Sequence, residues 1–318
     1  MASSHGNCLQ LLSRRAAAGV ISREAELVRR ENPLSNMLTT VKAGPYTIAG
    51  VSIAGIHTSL HVRELGVLFD AGIALRSTAG AEHVFLSHGH ADHCGALVSL
   101  LGMRGLMRLP PPRLYMPAEI AQSTEQALRQ LSAIQRYEFT IRSEPMLPGE
   151  ERALRPDLNV RAFRTHHTGP SLGYQFFNRV QKLKPEHHGL SGREIAERRQ
   201  RNEDLFVFEE RLELAYATDT LLRVIDTTPS LLTTRVLILE CSFLDERKDL
   251  ASSRAGGHIH LDELLERADS FQNEAIVLMH FSQMYPPAEV HRTLERRCPP
   301  SLFERLVVFA PSNGPWLG

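Results

Sequence analysis

The chain has 318 residues, 42% hydrophobic and 23% charged, and its 36 basic and 36 acidic side chains cancel to no formal net charge. That length gives room for a sizeable core in one large domain or two ordinary ones, and the balanced charge means that any nucleic-acid binding must rest on a local patch. No apolar run approaches the length of a membrane span, and Cys8, Cys94, Cys241 and Cys298 are too few and scattered for a disulfide framework, which fits a reducing, cytoplasmic setting.

Residues 1–36 carry Arg14, Arg15, Arg23, Arg29 and Arg30 and no acidic residue before Glu24. The preferred reading is a non-catalytic extension, with the domain proper spanning 45–318 and the extension 1–44. An organelle transit peptide is the second reading, and a start at Met37 a third. From there the pattern predicts strands at 46–53, 66–71 and 83–87, then a helix over 96–106 broken by Pro110, Pro111 and Pro112. A strand at 114–116, a helix over 118–134 and alternating strands at 136–142, 158–164 and 172–177 follow. Residues 179–205 are polar and helical in tendency. Strands at 212–217, 235–240, 275–280 and 306–310 then intermix with helices at 261–272 and 287–296. This order suggests two sheets covered by helices, with sites gathered where strands end.

Residues 87–95 read Ser-His-Gly-His-Ala-Asp-His-Cys-Gly, directly after the apolar Val84, Phe85 and Leu86. His88, His90, Asp92 and His93 thus offer imidazole nitrogen and carboxylate oxygen, the donors that suit zinc, from the end of one strand. His88 and His90 share a face in extended chain, and a turn after them aims Asp92 and His93 at a second ion. More metal-type residues follow other predicted strands: His166 and His167, then Asp219, then His280.

The chain here resembles the metallo-β-lactamase superfamily and, within it, the ribonuclease Z family of tRNA 3′-processing endonucleases. The Ser-His-Gly-His-Ala-Asp-His element marks the superfamily. The narrower likeness lies in His167-Thr-Gly-Pro-Ser-Leu-Gly-Tyr174, in Glu240-Cys-Ser-Phe243 followed by Gly257-His258, in His280-Phe-Ser-Gln-Met-Tyr285, and in the run from Lys182 to Ile195. Met284 stands where the family usually has arginine, and Ile259-His260 where serine and threonine usually follow. The resemblance implies an α+β four-layer αββα sandwich. It implies that His88, His90 and His167 hold one zinc and Asp92, His93 and His280 another, with Asp219 bridging two Zn2+ per chain. His166 is the rival of His167, which keeps the family's spacing to Ser171, Gly173 and Tyr174. The resemblance also implies a homodimer acting on precursor tRNA.

Phosphodiester cleavage builds negative charge that two cations can stabilise together. Asp92 is then a candidate general base, and Glu240 with His258 a candidate pair for protonating the leaving oxygen. Asp70, after another predicted strand, is expected to orient a ligand histidine. The stretch 179–205 reads as a basic substrate arm, with Arg179, Lys182, Lys184 and Arg193 as phosphate contacts, and Arg104, Arg108 and Arg113 as a second patch. The rival readings are another hydrolase on the same scaffold, a small phosphodiesterase or thioesterase, and a non-catalytic RNA-binding relative.

Overall fold

Strands whose every side chain is apolar must be covered on both faces, and this chain has several of them. A computed structural model describes residues 38–317. One sheet runs β1 (Thr39–Ala43), β2 (Tyr46–Ala54), β3 (His57–Val62), β4 (Val67–Phe69), β5 (His83–Phe85), β6 (Arg113–Pro117) and β7 (Arg142–Met146). The other runs, from its far edge, β8 (Glu151–Arg155), β9 (Leu158–Arg164), β10 (Leu172–Leu183), β11 (Phe206–Ala217), β12 (Val236–Glu240), β13 (Ala275–Met279) and β15 (Leu306–Val308). The short β14 (Phe281–Ser282) crosses from the second sheet to pair with β2 of the first.

The period of two along each strand divides its side chains between two cores. Phe69, Phe85 and Tyr115 point inward and meet Tyr174, Phe176, Tyr216, Ile238 and Val277 of the facing sheet. Leu68, Val84, Leu86, Leu114 and Met116 point the other way, against helices Leu97–Leu106 and Ala118–Gln135. Leu237, Leu239, Ile276 and Leu278 likewise meet helices Leu261–Glu266 and Pro287–Arg297. This is the helix–sheet–sheet–helix sandwich that the resemblance implied.

Several local expectations need correction. The strand expected at 136–142 begins at Arg142, because Arg136 adopts a left-handed conformation that ends the preceding helix. Pro145 hides β7 from a propensity reading, and an edge strand tolerates it. The charged edge strand β8 and the histidine-bearing β3 were not foreseen. The polar stretch 179–205 is no continuous helix. β10 and β11 pair as far as Leu183 and Phe206, making a projecting ribbon, and helix Gly192–Gln200 starts at a Ser191–Glu194 capping box near its tip. The expected 261–272 helix ends at Glu266 and gives way to a short 3-10 turn. Of the expected extension 1–44, residues 1–37 lie outside the described residues, whereas Thr39–Ala43 form β1 of the first sheet.

Phe85 lies at the centre of the inter-sheet seam. It stacks on Tyr115 at 4.2 Å and meets Tyr174 and Phe176 edge-on at 4.8 and 5.3 Å. Phe85→Ala should destabilise the fold by about 3–5 kcal/mol in urea unfolding. A loss below roughly 1 kcal/mol would show that this seam does not hold the sheets together.

Candidate metal centre

The side chains with metal-binding chemistry sit where strands stop. Asp70 follows β4, His88 follows β5, His167 follows β9, Asp219 follows β11 and His280 follows β13. Asp70, Asp219 and His280 have φ of 57°, 44° and 61°, a left-handed backbone that Asp and His adopt more readily than most residues. Each such residue costs roughly 1–3 kcal/mol that surrounding contacts must offset. Bare backbone at Gly72 admits the Asp92 carbonyl, which a Cβ would meet at 1.7 Å, and Gly257 leaves room for the His167 ring.

Donor atoms of His88, His90, His167 and Asp219 lie within 4.8 Å of one another, as do those of Asp92, His93 and His280. Asp219 faces both groups. Its Oδ2 is 3.7 Å from Nε2 of both His88 and His167, and its Oδ1 is 3.2 and 3.3 Å from Nε2 of His93 and His280. His167 Nε2 lies 3.2 Å from His90 Nδ1, and Asp92 Oδ2 lies 3.4 Å from His93 Nε2.

The surrounding hydrogen bonds fix which imidazole nitrogen is bare. The Ser87 hydroxyl donates to Asp70, so it can only accept from Nδ1–H of His88, at 3.0 Å. The Ser242 hydroxyl donates to Glu240 at 2.6 Å and accepts from Nδ1–H of His280 at 3.1 Å. His93 Nδ1 donates to Asp70 at 2.8 Å, and His167 Nδ1 to the Gly257 carbonyl at 3.2 Å. In all four rings Nε2 is therefore left facing the cluster. His88 Nε2 is buried with no hydrogen-bond partner, and those of His93 and His280 face each other at 3.3 Å. Converging bare nitrogens beside carboxylates fit divalent cations, and the donor set of imidazole and carboxylate suits zinc.

Electrostatics agree. Burial, with His93 beside it, pushes the His88 pKa down to about 2, so this ring is neutral and ready to ligate. Burial opposes charge on His93 too, but Asp219 and Asp70 outweigh it and hold its proton affinity well above the ordinary imidazole value. Burial would raise Asp219 and Asp92 as well, yet the neighbouring His280 and His93 keep both carboxylates ionised, well below their usual range.

Asp70 is fully buried and accepts from Ser87, His93 and, at 2.6 Å, Tyr216, so it orients His93 from behind. Glu240 is also buried. It accepts from the Thr220 amide at 2.7 Å and from His258 Nδ1 at 3.1 Å, and the His258 ring stacks on His280 at 5.5 Å. Burial would lower the His258 pKa, but the Glu240 charge and hydrogen bond raise it to about 9. His258 thus keeps its proton at neutral pH.

Other expected residues lie elsewhere. His166 turns away from the cluster, with its ring 3.0 Å from Thr227 Oγ1. The arm residues are all ion-paired: Arg179 with Glu151 and Glu210, Lys182 with Glu209, Lys184 with Asp204 and Arg193 with Glu197. The second basic patch does not form. Arg104 is buried and bonds the carbonyls of Ala79, Ala81 and Pro110, and Arg113 pairs with Glu144. Sequence reasoning missed Ser87, Ser242 and Tyr216, and only the position of each serine beside a named ligand or acid could have signalled it.

Residues 65–281 match the model of the beta-lactamase superfamily domain. The chain is 33% identical over 271 residues to tRNase Z TRZ1 of Arabidopsis thaliana, covering 85% of this chain and 96% of that protein. It is 30% identical over 256 residues to the chloroplastic tRNase Z TRZ2 of the same plant, covering 80% and 72%. The crystal structure of human tRNase Z, short form, shares the fold over 86% of this chain and 96% of its own, at 15% identity and a TM-score of 0.52.

Asp70→Asn should keep the fold and weaken divalent-cation affinity roughly 10- to 100-fold in competition with a chromophoric chelator. An unchanged affinity would remove its orienting role. Because His93 holds its proton strongly and must lose it to ligate, cation binding at neutral pH should release a proton and weaken as pH falls. Calorimetry in buffers of different ionisation enthalpy reads that proton directly.

Proposed function

We propose that this chain, which belongs to the beta-lactamase superfamily and within it to the tRNase Z family, is a metal-dependent endoribonuclease that removes 3′ extensions from precursor tRNA, leaving a 3′ hydroxyl on the tRNA. The observation that carries this reading is the pair of buried Glu240 and partly exposed His258 beside a cluster of seven metal-type side chains. The cluster alone suits many hydrolases. The pair adds a proton donor for a leaving oxygen.

In this reading His88, His90 and His167 would hold one Zn2+ and Asp92, His93 and His280 a second, and Asp219 would serve both. When bound, the two ions neutralise phosphate charge and lower the proton affinity of water from a pKa of about 15.7 towards roughly 7. Asp92, a carboxylate of the same cluster, accepts the proton of the attacking water. His258, its proton held by Glu240, donates to the departing 3′ oxygen and is reset from solvent, with which its partly exposed ring is in contact. Ser242 links the two halves, since one hydroxyl touches Glu240 and His280.

The projecting ribbon serves as the tRNA-gripping arm through Arg179, Lys182, Lys184 and Arg193. Their exposed ion pairs are weak and screened, so phosphates can displace the carboxylates. We further infer a homodimer and a cytoplasmic site of action, with residues 1–36 as a non-catalytic extension. The scattered free thiols support that compartment. No described helix is long and apolar enough to cross a membrane.

Incubation with a 3′-extended tRNA transcript tests the function. A single metal-dependent cut at the tRNA 3′ side, abolished by a chelator and by Asp92→Ala, is the expected result. An intact transcript alongside turnover of a cyclic nucleotide or thioester would overturn it. The proton donor has its own signature. Activity should fall as pH rises and His258 loses its proton, and Glu240→Gln should move that alkaline limb to lower pH, because the charge that holds the proton is gone. A limb at the same pH in the variant would dissociate His258 from the leaving-group step.

A further inference from the structure

Within the group Asp92, His93 and His280, the carboxylate is the member that solvent reaches. Its side chain is 13% exposed, against 0% for His93 and 1% for His280. A side chain so placed is free to swing outward unless something besides a cation holds it. That hold comes from the turn between β2 and β3. The Gly55 amide donates to Asp92 Oδ2 at 3.0 Å, and this is the oxygen that faces Nε2 of His93 at 3.4 Å and of His280 at 3.7 Å. A hydrogen bond from an amide to an ionised carboxylate is about twice as strong as a neutral one. A left-handed backbone aims it. Gly55 has φ of 72°, which glycine adopts without steric penalty, and the Ile56 amide closes the turn on the Ile53 carbonyl at 3.0 Å.

The same hairpin end also grips the segments that carry the other two ligands. Ile53 and Ala54 pair with Phe281 and Ser282, the two residues after His280. On the returning strand, the Thr58 carbonyl accepts from the Gly72 amide at 2.9 Å, and His57 Nδ1 donates to the Gly72 carbonyl at 2.9 Å. Just before Gly72, Asp70 bonds the His93 ring and the Ala71 amide donates to the His93 carbonyl at 2.6 Å. Asp92, His93 and His280 are therefore all tied to residues 53–58. Among the described residues no hydrogen bond joins that stretch to His88, His90 or His167. The rings of His88 and His167 are braced instead by Ser87 and by the Gly257 carbonyl.

We propose that the Gly55 turn is a positioning element for one cation position alone. Its amide turns the Asp92 carboxylate toward His93 and His280, and the position at His88, His90 and His167 forms without it. The inference rests on the two-cation part of the reading above and is independent of which phosphodiester is cut. One ion is thus held in part by an exposed backbone turn, and the other is not, so a change at residue 55 separates them.

The test uses the full chain, stripped of metal and titrated with Zn2+ against a chromophoric chelator so that two affinities are resolved. An ester oxygen in place of the Gly55 amide nitrogen, introduced as glycolic acid during cell-free translation, deletes the donor and adds no side chain. The matching ester at Ile56 deletes only the turn bond to Ile53 and serves as the control for a loosened backbone. Melting temperature verifies that both are folded. The Gly55 ester should weaken one affinity about tenfold and leave the other within roughly twofold, and the Ile56 ester should move neither beyond that. His90→Ala, which removes a ligand of the other group, should weaken the remaining affinity, and its combination with the Gly55 ester should weaken both. Unchanged affinities in the Gly55 ester, equal losses in the two esters, or a loss on the same ion that His90→Ala weakens would overturn the proposal. An unmodified chain that holds a single Zn2+ refutes the two-cation reading instead. The positioning role then stands if the Gly55 ester alone weakens that ion and falls if it does not, and a chain that holds none overturns both.

Discussion

The carboxylate of Asp219 is the constraint on which the site depends. It is buried, ionised and bonded on one side by the Thr218 hydroxyl at 2.8 Å, and its two oxygens address two separate groups of imidazoles. A buried anion of this kind is tolerated only when cations or strong donors surround it. Here His93 stands beside it, holding its proton strongly until a cation takes that proton's place, so positive charge faces the carboxylate either way. The left-handed turn at Asp219 is what lets the side chain fold back over the strand end, and its conformational cost is offset by these contacts.

The sandwich exists to bring such strand ends together. Strands of one sheet deliver Asp70 and the 88–93 segment, and strands of the other deliver His167, Asp219 and His280. β14, crossing from the end of β13 to the edge of β2, ties the two deliveries to each other. Hydrogen bonds then convert approximate placement into chemistry. Ser87 and Ser242 each have one hydroxyl proton, committed to a carboxylate, and this leaves each able only to accept from a histidine. Tautomers are thereby set by residues that touch no ligand site themselves.

How much of this was legible in the sequence follows from how local each signal is. The 88–93 segment announces itself, because imidazoles and a carboxylate crowded into one short turn suit little besides metal binding. His167, Asp219 and His280 are single residues after apolar runs, and only the resemblance joined them across the chain. Ser87 and Ser242 were illegible because serine is common and its role depends on partners distant in sequence. The ribbon of β10 and β11 was misread because its charged residues mask a period of two, and cross-strand pairing, which no local window contains, is what holds it extended. Arg104 reads as surface charge in the sequence, whereas three carbonyls hold it inside the fold.

Tyr216 belongs to two structures at once. Its hydroxyl donates to Asp70 behind His93, and its ring stacks at 4.3 Å on Phe69 within the inter-sheet core. The placement of one imidazole is thus geared to the packing of large side chains well inside the sandwich. A disturbance of that packing would be felt at His93 through this one shared side chain. Retained cation would then serve as a gauge of how well the interior is assembled.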